Sequence, residues 1–394
     1  MADAEKTLRD TLDVILDGRG FKPREITVKP IATGGANYTS TLFIVNVSSP
    51  DQEDLNLFGK VACVGEAMRP LMHADWMYKT ERLFYTQLAK VFQEIQEERN
   101  IPAEHRFVFP KFYGCNGNYG EETVIMEDLA AAGFEPFDRL KSFDWDHAKV
   151  AVENLAKFHA LSFAFEKYRP EEFRILTSDM KCEIGGLVEG NEGNEETMKA
   201  VYVKMVEGAV GLVKEEYGER VRDFALTHNL WETFYKPAGK AVIAHGDYRM
   251  SNLLFRIQDD TLQSIAVDYQ TVHAGCPASD LIYFIFMGSD EEFRRQHYEK
   301  LLDHYFASLE QALERMTVDL GVYTREKFDS DMKELLPYAV LLGVMVLPVV
   351  TVQAEAAPRV DGDADFSGFV MKPTELYAQR FSGIVNDCIR WGAI

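Results

Sequence analysis

A chain of 394 residues exceeds what one hydrophobic core usually organises, so two lobes or domains are expected, and an apolar fraction of 46% is enough to fill them. The formal net charge of −21 comes with no basic cluster to neutralise a phosphate backbone, which sets nucleic-acid binding aside, mildly favours a cationic partner and permits a neutral one. Five cysteines, Cys63, Cys115, Cys182, Cys276 and Cys388, are scattered without a Cys-x-x-Cys pair, so neither a zinc site nor a disulfide framework is indicated.

Residues 6–17 place Leu8, Leu12, Ile15 and Leu16 on one helical face and run into Gly18 and Gly20, a short helix and its stop. The charged opening Met-Ala-Asp-Ala-Glu-Lys has no apolar signal core, and a cytoplasmic chain is expected. Strand-like runs follow at 26–30, 41–47 and 57–64, separated by polar or glycine-bearing turns. Residues 78–98 read as one long amphipathic helix with Phe84, Leu88, Phe92 and Ile95 inward, and 123–126 as a further strand. An antiparallel sheet with one long helix is therefore expected as a small N-terminal lobe at residues 1–129. Beyond it the chain turns mainly helical, most clearly over 146–166, where Val150, Leu155, Phe158, Ser162 and Phe165 keep close to helical spacing. Residues 168–240 are polar, helix-prone and broken by glycine-rich turns, an expected helical insert within a C-terminal lobe at 130–394. Residues 335–350 are the most apolar stretch, interrupted by Pro337, Gly343 and Pro348, and read as a buried helix rather than a membrane insertion.

The chemistry is concentrated in His245-Gly246-Asp247-Tyr248-Arg249-Met250-Ser251-Asn252 and the following Val267-Asp268-Tyr269-Gln270. Asp247 and Asn252 lie five positions apart on one loop. An apolar run from Leu253, a polar turn at Gln258-Asp259-Asp260 and a return strand at 264–267 form a hairpin that brings Asp268 back beside Asn252. One carboxylate can then face an acceptor hydroxyl while Asn252 and Asp268 hold magnesium on nucleotide phosphates, the arrangement phosphoryl transfer needs.

Four upstream and flanking features bear on that reading. Gly34 and Gly35, with Asn37, Thr39 and Ser40 after them, sit between two strands; the glycines let backbone N–H groups approach phosphate, or they simply turn a hairpin. The stretch is not a Walker loop, since no Gly-Lys-Ser/Thr follows. Lys60, flanked by apolar residues, is either solvent-facing or points inward and needs an anion, for which Glu81 on the long helix is the natural partner. Met126-Glu127-Asp128-Leu129 leaves the first lobe; it either ends a strand or forms a hinge, where an adenine ring uses the Glu127 carbonyl and Leu129 amide with Met126 behind it. Asp280 opens an apolar helix, as an N-terminal cap or as a tie holding the catalytic loop from behind, and is read with His245 as support for the site. His159 reads as a core histidine bonded to a loop. No HExxH motif argues for zinc, and no GxSxG elbow argues for a hydrolase.

This order of parts resembles the kinase-like phosphotransferases that include aminoglycoside and choline kinases, and more closely the ecdysteroid kinase-like family. The resemblance rests on the glycine loop with Asn37-Tyr38-Thr39-Ser40, Lys60, Glu81-Arg82-Leu83-Phe84-Tyr85 and Met126-Glu127-Asp128-Leu129. It continues through Leu155-Ala156-Lys157-Phe158-His159-Ala160-Leu161-Ser162, the 245–252 loop, Asp268-Tyr269-Gln270 and Asp280-Leu281-Ile282-Tyr283-Phe284. It implies an α+β, two-lobed protein-kinase-like fold and ATP- and Mg2+-dependent phosphorylation of a small-molecule hydroxyl. The best-known acceptor of the family is an ecdysteroid, phosphorylated at its C-22 hydroxyl to an inactive, storable conjugate. Members often read His-Gly-Asp-x-Trp-x-Asn-Asn, whereas Arg249 and Ser251 stand here at the Trp and first Asn positions.

The combined expectation assigns Asp247 as catalytic base, Asn252 and Asp268 to metal, and Gly34, Gly35, Asn37, Ser40, Lys60, Glu81, Met126, Glu127 and Leu129 to ATP. The acceptor pocket is expected between the helical insert and the C-terminal helices, where Phe163, Phe165, Tyr202, Phe234, Tyr235, Tyr283 and Phe286 offer aromatic surface or an ordinary core. Two rivals stand beside an ecdysteroid acceptor: a choline- or aminoglycoside-like cation, and a non-catalytic kinase-like protein that holds nucleotide or sterol. A protein kinase is disfavoured, because no Asp-Phe-Gly or Ala-Pro-Glu segment occurs.

Overall fold

The computed structural model describes every residue except 1, 32–38, 51, 181–194, 239–240, 354–355, 357 and 359–365. Helix α1 (Ala2–Gly18) buries Leu8, Leu12 and Leu16 completely against a sheet. The sheet comprises β1 (Glu25–Ile31), β2 (Ser40–Ser49), β3 (Gln52–Ala62), β4 (Phe112–Asn116) and β5 (Thr123–Glu127). All neighbours are antiparallel, in the order β1-β2-β3-β5-β4. In β2 the alternate residues Phe43, Val45 and Val47 are buried beneath α1, the period-2 pattern of a strand with one face on a core. Gly59 of β3 lets α1 come close, since a Cβ there would lie 2.6 Å from Leu8 Cδ1.

Strand β4 escaped the sequence reading because all five of its residues are half-buried, and it lies at the sheet edge with no alternation to detect. The long helix begins earlier than residue 78 and is not uniform. It runs as α2 (Ala74–Leu83), a π-helical turn over Phe84–Leu88, and α3 (Ala89–Glu98). An apolar repeat of helical period does not report such a turn, which widens the backbone locally without changing which residues are apolar.

The second lobe is mainly helical. Helix α4 (Trp145–Tyr168) starts where the Asp144 side chain accepts from the His147 amide at 2.9 Å. Helices α5 (Pro170–Asp179), α6 (Glu195–Val210), α7 (Glu215–Thr227) and α8 (Leu230–Thr233) occupy the described part of the expected insert. Short strands flank the 245–252 loop: β6 (Glu135–Pro136), β8 (Leu253–Gln258) and β9 (Thr261–Ala266) form one sheet, and β7 (Val242–Ala244) pairs with β10 (His273–Gly275). Every residue of α9 (Pro277–Gly288) is buried, so this helix is the axis of the lobe. Helix α10 (Glu291–Arg315) packs along α4, followed by α11 (Arg325–Leu335), α12 (Ala339–Met345), α13 (Leu347–Thr351) and α14 (Glu375–Arg390).

The expected single buried helix over 335–350 is instead three pieces: a 3-10 turn over Leu336–Tyr338, then α12 and α13. Pro337 and Pro348 sit in the first turns of new segments, where a missing N–H is harmless, and each ends the helix before it. No helix among the described residues is long and apolar enough to cross a membrane.

A buried ion pair joins α10 to α14. The side chains of Arg294 and Asp387 are both fully inaccessible, and Arg294 also donates to the Ser289 carbonyl at 2.8 Å. Removing one partner strands the other charge in the core, although Arg390 at the edge still reaches Asp387. Arg294→Met is therefore expected to lower folding stability by about 3 kcal/mol, measured by urea unfolding.

Candidate functional site

The loop at 245–252 is held from behind before it offers anything to a ligand. Strand β7 delivers His245 and Gly246 next to Asp280 at the start of α9. Asp280 Oδ2 accepts from the His245 amide at 2.7 Å, and Oδ1 accepts from the Gly246 amide at 2.8 Å. His159 of α4 adds a third contact, Nε2 to Oδ2 at 3.1 Å, while its Nδ1 meets the Tyr305 hydroxyl at 2.7 Å. Burial works to raise the Asp280 pKa, but the His159 hydrogen bond, the nearby histidines and the loop amide outweigh it and hold the carboxyl below the usual aspartate range. Gly246 has φ +82°, and a Cβ there would collide with the Thr271 carbonyl oxygen, so the loop requires glycine.

With its back fixed, the loop turns Asp247 outward. Asn252 Nδ2 donates to Asp247 Oδ2 and to the Asp247 carbonyl, both at 2.9 Å. Arg249 Nε donates to Asp247 Oδ1 at 2.8 Å. The Val267 amide donates to the Asn252 carbonyl at 2.9 Å, and this bond sets Asp268 beside the loop. Asp268 itself adopts a left-handed backbone, φ 69° and ψ 61°, a conformation a non-glycine residue holds only where its surroundings enforce it.

Lys60 reaches this point from β3. Its Nζ donates to Glu81 Oε1 at 2.7 Å and to Asp268 Oδ1 at 2.6 Å, with the lysine 7% exposed. Burial alone would neutralise the amine, but the charges and hydrogen bonds of Asp268 and Glu81 reverse that and push its pKa above the ordinary lysine value. Asp268 is held low by Lys60 against the effect of burial, whereas burial keeps Glu81 above its usual range.

The remaining expected ATP residues fall in different places. Gly34, Gly35 and Asn37 lie outside the described residues. Thr39 Oγ1 donates to Gln270 Oε1 at 3.0 Å, tying the end of that loop to the residue pair after Asp268. Ser40 is buried and shares a small polar cleft with Lys60 and Glu81. Met126 is buried, accepting at Sδ from the Tyr85 hydroxyl at 3.7 Å. Glu127 exchanges bonds with Lys111 at 2.8 and 2.7 Å, and Leu129 packs with Phe134 and Ile265.

A cavity of about 590 Å3 opens at Asp247. Its walls are apolar: Leu71, Met72 and Met77 from the first lobe, Met198, Tyr202, Met205, Leu230 and Trp231 from α6 and α8, and Met345, Val346, Val349 and Val350 from α12 and α13 and the link between them. Asp247, Arg249, Asp268, Gln270 and Thr271 form a polar end. Of the aromatic residues expected here, Tyr202, Tyr235 and Tyr283 line it. Phe163, Phe165, Phe234 and Phe286 do not; all four are buried in the main core, because the faces that carry them turn toward neighbouring helices.

The profile of the ecdysteroid kinase-like family matches residues 34–318, a span holding the whole arrangement from the glycine-bearing loop to α10. The chain belongs to the ecdysteroid kinase-like family. No curated protein sequence matches it. Among solved structures, a macrolide 2′-phosphotransferase from Brachybacterium faecium, as the apoenzyme, aligns at a TM-score of 0.40 with 14% identity, over 92% of this chain and 99% of that one. A microcompartment-associated aminopropanol kinase aligns at 0.41 with 11% identity, over 97% of this chain and 98% of the other.

In this ecdysteroid kinase-like chain the cavity's methionines and Trp231 went unread in the sequence. They come from segments far apart, and no local repeat singles them out. The role of Gln270 as partner of Thr39 was equally invisible, since the two residues lie 231 positions apart in the chain.

Asp280→Asn is expected to cost about 2–3 kcal/mol in urea unfolding, because the amide's NH2 would oppose a loop N–H and leave two donors face to face. A second expectation concerns pH. Burial pushes the pKa of His245 and of His273 below the ordinary histidine value, so both rings are neutral when folded. The unfolded chain binds those two protons below about pH 6.5, hence this contribution is intact above that pH and is lost as pH falls. Urea midpoints should drop between about pH 7.5 and 5.5, and His273→Gln should flatten the decline.

Proposed function

We propose that this protein is an ATP- and Mg2+-dependent phosphotransferase that phosphorylates a hydroxyl of an apolar small molecule, with an ecdysteroid and its C-22 hydroxyl as the acceptor carried over from the family. The observation that supports it most is a continuous chain of bonds from Glu81 through Lys60 to Asp268, beside an outward Asp247 at the mouth of an apolar cavity. In this reading residues 1–129 form the ATP-covering lobe, and residues 130–394 form the catalytic lobe, with the helical insert at about 168–240 walling the acceptor pocket.

The donor set suits Mg2+. Asn252 spends its Nδ2 on Asp247, which leaves Oδ1, and Asp268 has Oδ2 beside the oxygen that Lys60 occupies. Magnesium takes one or two such oxygen ligands and completes its shell with water and phosphate. Bound Mg2+–ATP supplies the phosphoryl group and offsets the charge on the phosphate oxygens.

The chain's own residues do the rest. Asp247 orients the acceptor hydroxyl and takes its proton as the oxygen is phosphorylated. Lys60, steadied by Glu81, contacts the nucleotide phosphates. Gly34, Gly35, Asn37 and Ser40 cover them, and Met126, Glu127 and Leu129 receive the adenine. His245 and Asp280 keep the loop in register. Most of the rate gain then comes from positioning and charge stabilisation.

The cavity lining favours a neutral apolar acceptor over choline or an aminoglycoside. Asp247 and Asp268 are its only carboxylates among the described residues, and Arg249 and Lys199 add positive charge. A cation would meet no anion that the chemistry does not already use.

The direct test is a screen of purified protein with Mg2+–ATP against ecdysteroids, other sterols, choline and aminoglycosides. Phosphate transfer to cationic acceptors alone would overturn the acceptor assignment. Asp247→Ala is expected to lose about 100- to 10,000-fold in turnover while still binding nucleotide. Asp268→Ala should lose Mg2+-dependent nucleotide binding as well. Unchanged turnover in Asp247→Ala would sink the catalytic assignment.

A further inference from the structure

Arg249 and Ser251, the two loop positions that stand apart in the sequence, are bonded to each other: Arg249 Nη1 donates to Ser251 Oγ at 2.5 Å. The same guanidinium donates through Nε to Asp247 Oδ1. A guanidinium carries five N–H groups in a fixed planar fork, and these two bonds use two of them. The others make no hydrogen bond to the described residues, and Arg249 lines the cavity together with Asp247 and Asp268. The side chain is 12% exposed, so the fork is held in a mostly enclosed place with one edge toward the open space.

Orienting Asp247 does not by itself account for this. Asn252 already binds the other carboxylate oxygen, and Asp280 already fixes the loop backbone. Lys60, a buried cation beside Asp268, is committed to Glu81 and Asp268. Beside Asp247, where an acceptor oxygen would receive a phosphoryl group, Arg249 is the cation paired with the carboxylate among the described residues. Phosphoryl transfer spreads charge over three equatorial oxygens, and a planar fork of N–H donors fixed in advance is matched to them.

We propose that Arg249 is a second catalytic residue: its free guanidinium edge binds the equatorial oxygens of the phosphoryl group in transfer, while Nε keeps Asp247 turned to the acceptor and Ser251 holds the fork in plane. This rests on the phosphotransferase reading above and adds a contact to the same site.

The test measures ADP binding with Mg2+, with and without aluminium fluoride, whose planar complex stands in for the phosphoryl group in flight. Wild type is expected to bind ADP at least about tenfold more tightly with aluminium fluoride. Arg249→Met should lose that gain while its affinity for Mg2+–ADP alone changes less than about twofold. Arg249→Lys retains a charge for Asp247, guarding against misfolding, and should lose most of the gain because it has no planar fork. Asp247→Asn should keep most of it, which a merely orienting Arg249 does not allow. Equal gains in wild type and Arg249→Met, or no gain in wild type, overturn the proposal. Failure of wild type to bind Mg2+–ADP at all overturns the phosphotransferase reading instead.

Discussion

An ammonium group that is nearly buried must be answered by negative charge, and Lys60 is answered twice. Glu81 approaches from a helix of the first lobe and Asp268 from the hairpin of the second. Burial works against the charge of each, and the neighbouring opposite charges work for it. The three groups therefore stand or fall together, and in doing so they fasten the first lobe to the hairpin of the second. Their cost in desolvation is understandable at a site whose function depends on charge, less so at a joint whose only task is stability.

Several unusual local features converge on the same point. Asp268 occupies a left-handed backbone conformation, and its neighbour Tyr269 is fully buried. The Tyr269 ring stacks on Phe84, with centroids 3.6 Å apart and planes within 8°. Phe84 opens the π-helical turn that directly follows Glu81 and α2. The aromatic stack thus links the helix that bears one Lys60 partner to the segment that bears the other, and the irregular turn sits where that link begins. Backbone strain and a helix defect are tolerated here because packing on both sides over-determines them.

Behind the loop, Asp280 performs a different task with the same chemistry. Two backbone amides and a histidine converge on one buried carboxylate, so the 245–252 loop is anchored by a helix that is buried throughout. In front, the cavity walls are rich in methionine, a flexible and polarizable side chain that adapts to irregular apolar shapes. The site joins a rigid polar end to a pliable apolar one.

Much was legible in the chain itself. Period-2 and helical repeats located β1, β2, β3 and β5 and the helices α1, α2–α3 and α4. The spacing of Asp247, Asn252 and Asp268 is local, so the hairpin that unites them could be read directly, and the inward pull of Lys60 on Glu81 followed from placing a charge in an apolar strand. Irregular elements were not legible: the edge strand β4 lacks alternation, the π turn keeps the apolar repeat, and the prolines at 337 and 348 divide what hydrophobicity joins. Nor did the sequence separate Tyr202, Tyr235 and Tyr283, which line the cavity, from Phe163, Phe165, Phe234 and Phe286, which do not. Local pattern determined the chemical groups and their order, because a loop of eight residues and one hairpin set their separation. Tertiary packing alone decided the second bond of Lys60, the pairing of Arg249 with Asp247 and Ser251, and the walls of the cavity. Those depend on which faces of distant helices meet, and no short-range repeat carries that information.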